Sequence, residues 1–195
     1  PRLMPFQEFP WNGDGYLAAE VLRLRKDHKI MSAIETGTCL GSTSIWLCEH
    51  FAEVNTAEVN QDLWIKAVNR VERIINDLKG VTLHNYSSLE MMPKVSAGLY
   101  FLDAHWGPHC PLLEELEAIA AANVKPCIVI HDFQVPGTDF GFDRFPDSGY
   151  PFSLEAIAPH IDKIYGEGGW GYRYPTKVEG ARRGWISLFP ADVHR

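Results

Sequence analysis

Two short stretches limit what this chain can fold into: Leu99-Tyr100-Phe101-Leu102 and Cys127-Ile128-Val129-Ile130. Each is apolar at consecutive positions. Successive side chains of a strand point to opposite faces, so strands of this kind must be covered on both sides. That arrangement belongs to parallel sheets sandwiched between helices.

The rest of the chain supplies the helices. Leu17, Val21, Leu22 and Leu24 recur at helical spacing within 15–28, and the run 30–36 then reads as a strand. A helix follows over 41–51, a strand over 52–59, and a helix over 61–78. In that last helix Leu63, Ile65, Val68, Val71, Ile74 and Ile75 form an apolar face, and Lys79-Gly80 close it. A strand over 81–87, a short helix opened by Ser88, a strand over 98–105, a helix over 110–123 and a strand over 127–133 continue the alternation. Residues 153–162 predict a helix, Lys163-Ile164-Tyr165-Gly166 a short strand, and 184–189 a last strand. The expected fold class is α/β: a Rossmann-like, doubly wound, mostly parallel sheet with an antiparallel C-terminal strand and helices on both faces.

At 195 residues the chain fits one domain. It divides into an N-terminal arm and helix (1–29), a core (30–133), a long aromatic loop (134–152) and a C-terminal helix with strands (153–195). A loop of that length reads as a lid or binding segment. A net charge of −7 gives no broad basic face, which counts against nucleic acid as a main partner. No apolar run approaches the ~20 residues of a membrane span. The opening residues lack the basic-then-apolar layout of a signal peptide. Cys39, Cys48, Cys110 and Cys127 form no C-x-x-C pair, so reduced thiols in the cytoplasm are expected. Phe6, Phe9 and Trp11 make an apolar arm suited to a homodimer contact.

In open α/β sheets the ligand lies at the carboxyl ends of the strands, where strand order reverses. The polar residues of this chain gather at those ends. Glu35, Thr36, Gly37, Thr38, Gly41, Ser42 and Thr43 surround the first turn, and Glu58 ends the second strand. Ser87 and Ser88 follow the third, Asp103 and His105 the fourth, His131 and Asp132 the fifth. Glu58 stands 23 positions after Glu35, the spacing at which an acid accepts hydrogen bonds from ribose hydroxyls. Cys39 occupies the place of the middle glycine that a pyrophosphate needs, which disfavours a dinucleotide.

With that turn the chain resembles the class I S-adenosylmethionine (SAM)-dependent methyltransferases, in the small O-methyltransferase branch with "E-x-G-T-x-x-G-x-S/T" in its first motif. Glu35, Gly37, Thr38, Gly41, Ser42 and Thr43 carry the match, and the resemblance spans about 30–135. It implies that Glu35 and the backbone at Gly37 hold the methionine end of SAM, Glu58 the ribose, Ser87 and Ser88 the adenine, and that Asp103 lies beside the methyl group. It also implies a divalent metal ion on Asp103 and Asp132. Phe133 stands where the third ligand is expected, so His131, His105 or His109 would complete the set. His105 is the expected base, working with Asp103; His109 and His131 are the alternatives. Trp106, Phe133, Phe140, Phe142, Phe145 and Tyr150 are candidates for an aromatic pocket. Arg144 is the candidate for an acidic group of the substrate, and Arg182-Arg183 are assigned to solvent. The expected reaction is O-methylation of a small hydroxylated metabolite or sugar. The competing readings are a non-catalytic relative that binds a nucleoside or a partner, and an NAD(P)-dependent oxidoreductase.

Overall fold

A computed structural model describes residues 5–75, 80–105 and 109–191. Two 3₁₀ turns, Pro5–Glu8 and Pro10–Gly13, lead into α1 (Gly15–Asp27). Then follow β1 (Ser32–Thr36), α2 (Ser42–His50), β2 (Glu53–Ala57), α3 (Gln61–Ile74), β3 (Val81–His84) and α4 (Ser88–Met91). A further 3₁₀ turn, Met92–Lys94, precedes β4 (Leu99–Leu102), α5 (Leu112–Ala121), β5 (Cys127–His131), α6 (Leu154–Tyr165), β6 (Trp170–Arg173) and β7 (Trp185–Pro190).

These strands form one sheet in the order β3-β2-β1-β4-β5-β7-β6. β1 to β5 run parallel, and β7 pairs antiparallel with both β5 and β6. Strand order therefore reverses between β1 and β4. The consecutive apolar residues divide between two cores, as strand geometry requires. Tyr100, Leu102, Ile128 and Ile130 pack with Leu116, Ile119, Ile157 and Ile161 of α5 and α6. Leu99, Phe101, Cys127 and Val129 pack with Leu17, Val21, Leu24 and Leu47 of α1 and α2.

Local chemistry sets the helix starts. Asp14 caps α1 by accepting from the amides of Tyr16 and Leu17, and Asn60 caps α3 by accepting from Asp62 and Leu63. α2 begins after Gly41, whose φ of 72° suits glycine.

Two expectations are corrected. Lys163-Ile164-Tyr165 is the last turn of α6, where Ile164 and Tyr165 are buried against the sheet, and the edge strand forms at Trp170–Arg173 instead. The face predicted for α3 is only partly inward: Val71 is buried, whereas Ile65 and Ile74 are exposed. Trp11 is buried within its own domain, edge-on to Trp46 and Phe101 at 5.0 and 4.8 Å between ring centroids. Positions 76–79 at the end of the predicted third helix, and Trp106, lie outside the described residues. No described helix is long and apolar enough to cross a membrane.

Candidate functional site

At the reversal between β1 and β4 lies a cleft of about 480 Å³, a usual size for a small-molecule site. One end is the turn after β1. The amides of Gly37 and Thr38 both donate to the Ala57 carbonyl, at 3.0 and 3.2 Å, and Gly41 N donates to Thr38 O at 2.8 Å. Gly37 has φ +82°, and a Cβ there would stand 2.8 Å from the Asp103 carbonyl oxygen. Cys39 follows at φ 50° and donates its amide to Glu58 Oε2 at 2.9 Å. Glu58 Oε1 accepts from Asn60 N at 2.8 Å, so one carboxylate joins the turn to the cap of α3 and still faces the cleft. Its remaining lone pairs suit hydroxyl donors.

Several predicted residues line this end: Glu35, Gly37, Thr38, Ser42, Thr43, Glu58, Ser87, Ser88 and Asp103. Many of their polar atoms also have protein partners. Glu35 Oε2 accepts from the hydroxyls of Ser44 and of Thr56, the latter at 2.7 Å. Ser42 Oγ donates to Gln7 O at 3.0 Å and accepts from Arg70 at 2.9 Å, while Thr43 Oγ1 accepts from Trp11 N at 3.0 Å. Ser88 Oγ donates to buried Glu115 at 2.5 Å, and Ser87 caps α4. Thr36 and Gly41 sit behind the cleft wall. Thr36 Oγ1 accepts from Asp103 N at 3.2 Å, and Gly41 packs on Ala67 and Val71 of α3.

The other end is ionic. Asp132 closes β5 at φ 56°, a left-handed conformation that Asp tolerates. Its Oδ1 accepts from Arg183 Nε, and its Oδ2 lies 3.1 Å from His105 Nε2. Asp143 accepts from Arg183 Nη2 and lies 3.7 Å from His105 Nε2. Two carboxylates and two cations thus close a ring that faces the cleft. Beneath it, His131 Nδ1 is 3.1 Å from Asp103 Oδ1 and 3.3 Å from Asp132 Oδ1.

Hydrogen bonding to Asp132 raises the His105 pKa to about 9, so this imidazole is protonated at neutral pH. Burial works against charge on His131, but Asp103 and Asp132 outweigh it and hold that pKa well above the usual value. Burial also opposes the Asp132 charge; His131, His105 and Arg183 overcome it and push the carboxyl well below its usual range.

Burial raises Glu35 to about 8 and Glu115 to about 7, despite their hydroxyl partners. The folded chain therefore holds protons that the unfolded chain has released. Their contribution to stability is full below about pH 4.5 and is lost as pH rises through 7 and 8. The raised histidines act in the same direction above pH 6.5. The thermal midpoint should fall by on the order of 5 °C or more between pH 5.5 and 8.5. Scanning calorimetry across that range checks it; a midpoint that rises would contradict these protonation states.

Sequence reasoning missed Asp143 and misplaced Arg183. Arg183 is half-buried on Asp132 and Asp143, not solvated. A signal was available, because an antiparallel strand starts at the end where its parallel neighbour finishes, so the residue before Gly184 had to lie near Asp132. Arg144 is corrected too: it donates to Gly149 O at 3.0 Å and covers Phe142, away from the cleft. The loop aromatics face elsewhere. Phe133 is core, Phe145 packs on Phe152 at 4.5 Å, and Tyr150 is 69% exposed. His109 lines a separate cavity with Cys110, Phe145 and Tyr150. The loop is tied at its base, with Gln134 N on Phe152 O at 2.7 Å and Asp143 N on Asp132 O at 2.8 Å. No disulfide forms among the cysteines, and burial raises all four thiols to about 11 or 12, so they are inert at neutral pH.

Asp103, His131 and Asp132 can each bring a ligand atom within 4.8 Å of the others, as can His105, Asp132 and Asp143. The arrangement nevertheless does not fit a divalent ion. Arg183 already spans the Asp132 and Asp143 carboxylates, and the Asp132 oxygens also face His131 and His105.

No protein-family model matches the chain, and no curated protein matches its sequence. Solved structures do match. An O-methyltransferase from Bacillus cereus in complex with SAH aligns at TM-score 0.65 and 18% identity, over 90% of this chain and 81% of that one. TomG of Streptomyces achromogenes, an O-methyltransferase of tomaymycin synthesis in complex with SAM, aligns at 0.61 and 16%, over 89% and 79%. A precorrin 8w decarboxylase from Methanobacterium thermoautotrophicum aligns at 0.58 and 14%, over 97% and 100%. At such identities the likeness establishes architecture alone. The chain has a Rossmann-like fold that it shares with solved O-methyltransferases.

Proposed function

We propose that this protein is a SAM-dependent O-methyltransferase acting on a small hydroxylated acceptor. One observation carries the reading: a single cleft joins the glycine turn and Glu58 at one end to His105, Asp132, Asp143 and Arg183 at the other. The first end suits an amino-acid nucleoside. Gly37 brings the turn against the backbone of Asp103, and Glu58 presents a carboxylate where ribose hydroxyls are expected. The solved SAM and SAH complexes of the same fold support this choice.

Bound SAM supplies a methyl group on a sulfonium, open to in-line attack by oxygen. The chain must then orient the acceptor and take its proton. His105 is partly exposed to the cleft, and in its neutral form it receives the hydroxyl proton as attack proceeds. Asp132 and Asp143 stabilise the imidazolium so formed.

Calorimetric titration with S-adenosylhomocysteine, with NAD as comparison, tests the reading. Micromolar binding of the first and none of the second is expected. Binding of NAD alone, or silence from both, would overturn it. Glu58→Ala should weaken S-adenosylhomocysteine binding by about 10–100-fold, since charge-assisted hydrogen bonds are worth roughly 1.5–3 kcal/mol. An unchanged affinity would remove Glu58 from the cofactor site.

A further inference from the structure

We infer that the guanidinium of Arg183 is the resident cation of this site, filling with a covalently attached charge the place a divalent ion would take between Asp132 and Asp143. The inference deepens the methyl-transfer reading and rests on it for its chemical meaning. The geometry stands by itself.

Arg183 bridges the two carboxylates through different nitrogens, Nε to Asp132 and Nη2 to Asp143. These carboxylates, with His105, form a cluster compact enough to ligate an ion, so the arginine bridges the two carboxylates of a ligand set. It is also held there by the backbone. β7 runs antiparallel to β5, which brings the residues before Trp185 to the end of β5 where Asp132 stands. Phe133 N donates to Gly184 O at 2.9 Å, Gly184 N to Gly141 O at 2.8 Å, and Gly141 N to Arg182 O at 2.9 Å. Gly141 gives the side chain room, for a Cβ there would lie 3.1 Å from both Cδ and Nη1 of Arg183.

Charge makes the replacement exclusive. A guanidinium keeps its proton at every accessible pH, so a divalent ion entering here would meet a fixed positive neighbour and compete for its carboxylates. The same account explains Phe133. A core residue with no exposed surface follows Asp132, and no ligand is needed from that position.

A consequence for the acceptor follows. A metal ion selects acceptors that chelate it through two oxygens. A site whose cation is an arginine needs only one acceptor hydroxyl, within reach of His105.

The test is Mn2+ titration of the protein without SAM, read by the electron paramagnetic resonance of free Mn2+. Wild type and Arg183→Lys should show no binding below about 1 mM, whereas Arg183→Met should bind at least tenfold more tightly than wild type. Circular dichroism checks folding, and Arg183→Gln replaces the Met variant if that one is unfolded. Micromolar Mn2+ binding by the wild type overturns the inference, and so does a folded Met or Gln variant with no gain. Because the readout uses no SAM, its failure is separate from failure of S-adenosylhomocysteine binding.

Discussion

His105→Ala is expected to lower kcat for methyl transfer by about 10²–10⁴, the usual contribution of a positioned acid or base. The substitution removes a partly exposed imidazole that faces both Asp132 and Asp143. Its pH signature separates a base from a merely structural residue. Asp103, Asp132 and Asp143 hold the imidazole protonated up to about pH 9. The neutral form therefore gains roughly tenfold with each pH unit below that value. In the wild type kcat/KM should climb with that slope between pH 6 and 8 and level near 9; in the variant the climb should vanish. Initial rates of S-adenosylhomocysteine release, with an acceptor found by screening, measure both. A variant that keeps the slope would move the base elsewhere.

Gly37→Ala should have the largest effect on cofactor binding. Two costs coincide at this position: a left-handed backbone that L side chains rarely adopt, and a Cβ 2.8 Å from Asp103 O and 3.1 Å from Ala104 Cα. Neither neighbour is a flexible side chain, so β1 and β4 must part or the turn must move. Strain and overpacking together amount to roughly 2–6 kcal/mol. Expected results are a thermal midpoint lowered by about 5–15 °C and S-adenosylhomocysteine affinity reduced more than 100-fold. A variant that melts and binds like the wild type would show that the turn does not touch the ligand.

The fold was legible because its signals are local. Consecutive apolar residues in β4 and β5 specify burial on both faces, and the structure sends alternate residues of each to separate cores. Lys163-Ile164-Tyr165 misled because three residues do not show a period. Packing of Ile161, Ile164 and Tyr165 on the sheet settles it as helix. The glycine turn and Glu58 were legible for the same reason, being close in sequence and tied to successive strands. Arg183 and Asp143 were not. Each lies outside the βα repeats, and they meet Asp132 only through the antiparallel pairing of β7 and the folding back of the long loop. Arginine in the sequence row carries no mark of the carboxylates that will surround it.

The N-terminal segment has a consequence for how the site comes into being. Its Gln7 and Trp11 backbone groups are tied to Ser42 and Thr43, Asn12 O accepts from Ala181 N at 3.1 Å, and Asp14 accepts from the Trp185 indole at 3.2 Å. The last of these contacts joins residues 171 positions apart. Contacts so distant in sequence form late, because the loop they close must first be ordered. The β1-α2-β2 unit can assemble early, whereas Arg183 reaches Asp132 only as this long-range clasp shuts. During refolding, helical signal should therefore recover before the capacity to retain ligand. The slow phase that restores binding should be the one in which Trp11 fluorescence reports its burial.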